Sequence, residues 1–199
     1  MFIYAAFSSF ILGSILTLVL HSIARKFLIH SYQLTLPPLP YPIGTSCLGG
    51  LLFTIPVVLY PNLAIQPGPS FILISLLITV TITDLYAQLI PNKILLFFAI
   101  PLLLINPNVV APFVVFFLFY LSTSIAAFLF KKDTLGGGDV KLYVVIAFVL
   151  DIQPLLLSIL LASLLALIYL LFLTKKKPIP LPFAPFIATA TYIVHLGIF

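Results

Sequence analysis

Apolar runs long enough to cross a bilayer follow one another along this chain, and the few charges stand at their ends. About 20 apolar residues in a helix satisfy their own backbone hydrogen bonds across roughly 30 Å of hydrocarbon. This repetition constrains the fold more than any single motif. With prolines, asparagines and charges as punctuation, eight candidates result: roughly 2–24, 43–60, 70–90, 94–108, 109–130, 139–153, 154–174 and 181–198. A hydrophobic share of 63%, a charged share of 7% and a mean hydropathy of +1.32 exclude an ordinary water-soluble domain. The expected fold class is an all-α polytopic membrane protein with about eight transmembrane helices. The fourth and sixth candidates are short, and Pro101 interrupts the fourth. Tilted, kinked or partly re-entrant segments therefore stay open there, as does a count of seven.

The basic residues set an expected orientation. With alternating spans, Arg25, Lys26, Lys93, Lys131, Lys132, Lys141 and Lys175 to Lys177 all fall on one side, while the opposite connections at 61–69, 106–108 and 151–154 carry none. The positive-inside rule makes that side cytoplasmic and places both termini outside. Asp84, Asp133 and Asp139 are then cytoplasmic and Asp151 external. Basic charge distributed in this way signals topology and contact with lipid; no nucleic-acid partner is expected. The charge of the first run follows its apolar stretch, and no basic region precedes it, so an anchor is expected in place of a cleaved signal. Between Arg25 and Pro42, the prolines at 37, 38, 40 and 42 predict an extended cytoplasmic loop. The chain is thus expected to divide into a two-span region at 1–69 and a six-span core at 70–199.

Carboxylate chemistry has few places to reside, because glutamate is absent and only Asp84, Asp133, Asp139 and Asp151 are acidic. An ionisable group at the edge of hydrocarbon is costly and marks a functional candidate. Asp84 and Asp139 each lie at the cytoplasmic end of a span, 55 residues apart (139 minus 84). Adjacent helices could bring them to one depth. Two close carboxyls share a proton: the ionised one activates water and the protonated one polarises a carbonyl, which is the chemistry of peptide hydrolysis. Asp139 is expected at a helix N-terminus, where the dipole favours negative charge, and Asp84 near a C-terminus, where it does not. Lys93 and Lys141 oppose so modest a bias. Gly136, Gly137 and Gly138 remove side-chain bulk and permit positive φ, either to let a substrate strand lie against Asp139 or simply to form a hairpin loop. Asp133 beside Lys131 and Lys132 reads as a loop charge. His21, His30 and His195 are scattered and read as packing or interfacial residues, and Cys47 as a small buried hydrophobe. No set of side chains has metal-ligand spacing, so neither a metal nor a cofactor is expected.

Three ordered motifs resemble a known family. Asp84 is followed by Ile90, Pro91 and Asn92; Gly136, Gly138 and Asp139 are followed by Lys141; and Pro182, Phe183, Ala184, Pro185 and Phe186 close the series. Together they resemble the type IV prepilin leader peptidases, membrane aspartic proteases of the Gly-x-Gly-Asp class, over residues 70 to 199. The resemblance implies that Asp84 and Asp139 are the catalytic pair. It also implies a prepilin or pseudopilin substrate, from which the short basic leader is cut at the cytoplasmic face of the bacterial inner membrane. Gly136, Gly137, Gly138, Lys141 and Pro185 become candidates for holding that substrate. The region Pro182 to Phe186 reads either as a kinked helix start or as a substrate lining, and Lys141 either as a lipid anchor or as a contact to an acidic substrate position. Gly13, Ser14 and Arg25 are similar to the family's first span, but Thr17 stands where asparagine is typical. Larger members carry a paired-cysteine loop and also methylate the new N-terminus with S-adenosylmethionine. Without cysteine pairs or glutamate, that second activity is not expected here. Two other classes compete. Presenilin-like and signal-peptide-peptidase-like proteases share Gly-x-Gly-Asp but carry tyrosine where Thr83 precedes Asp84. A proton-coupled carrier would use the same acids without cleaving anything.

Overall fold

The computed structural model describes residues 2–33, 48–55, 67–130, 136–173 and 181–197. Every regular element among them is helical: α1 (Phe2–Tyr32), α2 (described at 48–55), α3 (Pro67–Ala87), α4 (Asn92–Ile105), α5 (Val110–Phe130), α6 (Gly137–Ile146), α7 (Ile152–Leu173) and α8 (Ala184–His195). Each of the eight apolar runs thus contains one helix. Four are long and apolar enough to cross a membrane, at Ser8–Tyr32, Gly68–Ala87, Val110–Phe128 and Ile152–Phe172. The 14 residues of α4, 10 of α6 and 12 of α8 rise only about 21, 15 and 18 Å, short of a hydrocarbon core of roughly 30 Å. The all-helical, multi-pass character holds, and the eight helices are unequal in length.

Two boundaries differ from expectation. α1 continues through Arg25 and Lys26 to Tyr32, so the connection expected to begin at Arg25 starts later. Arginine, lysine and leucine are good helix formers, and charge alone does not stop a helix. α1 ends where Gln33 takes φ +52°, and α3 ends on the same device, with Gln88 at φ +51° donating its N–H to the Asp84 carbonyl at 2.8 Å. A left-handed residue just past the last turn closes a helix in this way. The prolines expected in the loop, at 37, 38, 40 and 42, lie outside the described residues. α6, expected to reach 153, stops at Ile146, where Phe148 and Val149 donate to the carbonyls of Val145 and Ile146 and tighten the chain into a turn. The Asn106 side chain donates to the Phe148 carbonyl at 2.9 Å and fixes that turn.

The chain packs as two compact units, Met1–Gln88 and Leu89–Phe199. In the first, α1 lies on α3, and small residues let α2 approach α1: a Cβ added to Gly13 would come within 2.7 Å of Phe53, and one on Gly49 or Gly50 would collide with Thr17 or Ser14. Backbone approach through small residues is the usual way membrane helices gain dispersion energy. In the second unit α7 packs on α8; Ser158, Ala162 and Ala166, spaced four residues apart on α7, are buried, as are Ile187, Ala190 and Val194 on α8. α6 is held by both α4 and α5. The outward side of α5 and α7 is large and apolar, with Phe113, Phe117, Phe128, Leu171 and Phe172 all exposed. Such a surface suits lipid and would be a liability in water.

Candidate active site

Asp84 sits three residues before the end of α3, the most enclosed of the candidate spans, of which 67% is buried against 17% for α5. The sequence around it brings polar atoms inside without leaving them unsatisfied. Ser75, Thr79 and Thr83 donate their hydroxyls back to the carbonyls of Phe71, Ser75 and Val80 at 2.8, 2.7 and 3.0 Å, a local solution open to these side chains within an apolar helix. Thr83 is fully buried and Asp84 only 6% exposed. One turn of α1 faces this end of α3: His21, also buried, meets Tyr86 edge-on with ring centroids 5.8 Å apart and Nε2 3.4 Å from the tyrosine oxygen. The sequence reads His21 as an interfacial or packing residue, and here its ring packs on Tyr86.

Asp139 lies in the first turn of α6, whose N-cap is Gly136. The cap residue has no side chain, so the carboxylate of Asp139 is the negative group supplied to the exposed N–H ends of that turn. Its backbone N–H donates to the Gly136 carbonyl at 3.1 Å, and its carboxylate lies over Gly136, where a Cβ would come within 3.0 Å of Oδ2. None of the three glycines takes left-handed backbone. Gly136 has φ −65°, and the only glycine with positive φ among the described residues is Gly197. Gly138 is where Ile90 comes close, its notional Cβ 3.1 Å from the Ile90 Cβ, whereas nothing lies within 4 Å of the corresponding position at Gly137. Gly137 and Gly138 also belong to the helix, so they do not form a loop tip.

A second contact ties the same two segments together. The Lys141 ammonium donates to the Asn92 side-chain oxygen at 3.0 Å. Ile90 and Asn92 flank the buried Pro91, which is the N-cap of α4, so the Ile-Pro-Asn motif and the Gly-x-Gly-Asp-x-Lys motif are joined at the starts of α4 and α6. Pro185 stands in the first turn of α8, half-buried, and its carbonyl accepts from the Thr189 hydroxyl at 2.8 Å. Phe186 packs edge-on against Tyr169 of α7 at 5.4 Å, so the Pro-Phe-x-Pro-Phe motif starts a helix and docks it.

Asp84 belongs to the first unit; Asp139, Gly136 to Gly138, Lys141 and Pro185 belong to the second. Asp151 is exposed just ahead of α7, and its carbonyl accepts from the Leu155 N–H at 3.0 Å. Asp133, Lys131, Lys132 and Cys47 lie outside the described residues. Among the described residues, no group of three or more histidines, cysteines or acids is placed to hold a metal. Sequence reasoning missed Tyr143, one turn beyond Asp139 on α6, which is buried and stacked on Phe119 of α5 with centroids 5.4 Å apart and an interplanar angle of 18°. The four-residue spacing from Asp139 was the available signal.

The chain matches a family model over residues 71–171, that of the type IV leader peptidase family. It is 35% identical over 166 residues to the prepilin leader peptidase/N-methyltransferase of Bacillus subtilis (strain 168), covering 76% of this chain and 62% of that protein. The chain thus spans about three fifths of that relative's length. No solved structure matches.

Proposed function

This chain belongs to the type IV leader peptidase family, and on that premise we propose that it is an aspartic endopeptidase that removes the short basic leader of prepilins or pilin-like proteins. It works at the cytoplasmic face of the bacterial inner membrane, with residues 70–199 as the peptidase core. The orientation follows the one-sided basic residues, which put both termini outside. The observation that carries the reading is the setting of Asp139. Its carboxylate stands at a helix N-terminus over Gly136, beside the empty space at Gly137, and its helix is joined by Gly138 and Lys141 to the segment that follows Asp84.

In the proposed reaction the ionised Asp139 takes a proton from water as the water oxygen bonds to the scissile carbonyl carbon. The protonated Asp84 gives its proton to the carbonyl oxygen. Collapse of the tetrahedral intermediate returns that proton to Asp84 and breaks the C–N bond, and the departing amine takes the proton held by Asp139. The assignment of roles rests on helix ends: Asp139 is in the first turn of α6, and Asp84 is near the end of α3. Gly136 to Gly138 admit an extended substrate, Pro185 lines its path, and Lys141 offers a donor to an acidic position. An ammonium has three N–H groups, so its bond to Asn92 leaves donors over.

The proposed reaction ends at cleavage. The Bacillus subtilis relative's name also includes N-methyl transfer, whereas this chain has one cysteine and no glutamate. Co-expression with a prepilin-like protein, followed by gel shift and mass spectrometry of the new N-terminus, tests both points. The expected product is a leaderless protein with an unmodified amine. A methylated amine that depends on this chain would remove the second point alone. Proton-driven transport with no cleavage of any prepilin-like protein would favour the carrier.

A further inference from the structure

Within the second unit the Tyr143 hydroxyl is buried with no hydrogen-bond partner among the described residues. The residue is 2% exposed and its ring is stacked on Phe119, so packing fixes where the hydroxyl stands. A buried polar group without a partner costs its desolvation, and in a folded protein it calls for an explanation in a bound water, a ligand or a catalytic role. Phenylalanine would fill the same space at no such cost. Tyr143 lies one helical turn beyond Asp139 on the same face of α6, and helical side chains lean toward the N-terminus, which directs the ring toward the turn carrying Asp139. Asp139 is the acidic residue in the first turn of the same helix. No direct hydrogen bond joins them. At neutral pH a phenol is a donor, and a water placed between it and a carboxylate would accept from one and donate to the other.

We propose that Tyr143 is a positioning residue whose hydroxyl donates to the water that Asp139 activates, holding its oxygen for attack on the scissile carbonyl. This inference rests on the reading of Asp139 as the catalytic carboxylate.

The test compares purified Tyr143→Phe, Asp139→Asn and Tyr120→Phe with the unaltered chain on a prepilin-like substrate, together with thermal unfolding of each. Tyr120 is 62% exposed on α5 and serves as the control. Tyr143→Phe should lower kcat by about 10- to 100-fold with KM nearly unchanged, the scale of a lost hydrogen bond in a charge-assisted network. Its unfolding temperature should be equal or higher, because the substitution removes an unpaired buried hydroxyl. An unchanged kcat, a fall in kcat that tracks a fall in stability, or an effect on KM alone would each overturn the proposal. Those results, combined with complete loss of cleavage in Asp139→Asn, would leave the reading of Asp139 standing. Cleavage by Asp139→Asn would remove both.

Discussion

A methyl group at Gly138 would press on the Cβ of Ile90 at 3.1 Å, whereas one at Gly137 would meet nothing within 4 Å. Neighbouring glycines in one run therefore carry different constraints. Replacing either by alanine removes up to about 1 kcal/mol of glycine's helix penalty. At Gly138 an overpacking cost of about 1–3 kcal/mol opposes that gain, because a Cβ bound to the backbone cannot swing aside as a side-chain tip can. Gly138→Ala should therefore unfold at a lower temperature than Gly137→Ala. Gly137→Ala should keep its stability and lose cleavage if substrate occupies the free space, and thermal unfolding measured beside cleavage separates the two effects. The sequence made the absence of bulk legible, but not which glycine faces which neighbour. Nor could it show Lys141 reaching Asn92 across 49 positions, since that pairing exists only once α4 and α6 pack. Tyr143 was hidden for another reason: an aromatic in an apolar helix reads as core, and only burial with an orphaned hydroxyl distinguishes it.

Hydropathy made the existence of every helix legible, because each apolar run needs internally satisfied backbone wherever it meets lipid. The ends were less legible. α1 runs past Arg25 and Lys26 because those residues favour helix, and α6 stops at Ile146 because of a turn held by a side chain from the α4–α5 connection. α7 packs on α8, and its buried small residues Ser158, Ala162 and Ala166 recur every four positions, the spacing of one helix face. Ala162→Leu should force those helices apart and destabilise the protein by about 1–3 kcal/mol. Leu167→Ala, on the exposed side of the same helix, should change stability far less. Thermal unfolding in one detergent would compare them, and equal losses would contradict the assignment of the buried face.

Among the described residues, four helices have the length and apolarity to cross a bilayer, and three shorter ones carry or neighbour the motifs: α4 begins at Asn92, α6 holds Asp139 and α8 holds Pro185. In the proposed reaction Asp84 and Asp139 supply different protonation states, so neither can be spared. Cleavage of a co-expressed prepilin-like protein by Asp84→Asn and Asp139→Asn, at matched expression and beside Asp151→Asn, tests that claim most directly. The account predicts that either of the first two abolishes leader removal while Asp151→Asn cleaves normally; substantial cleavage by Asp84→Asn or Asp139→Asn would contradict it.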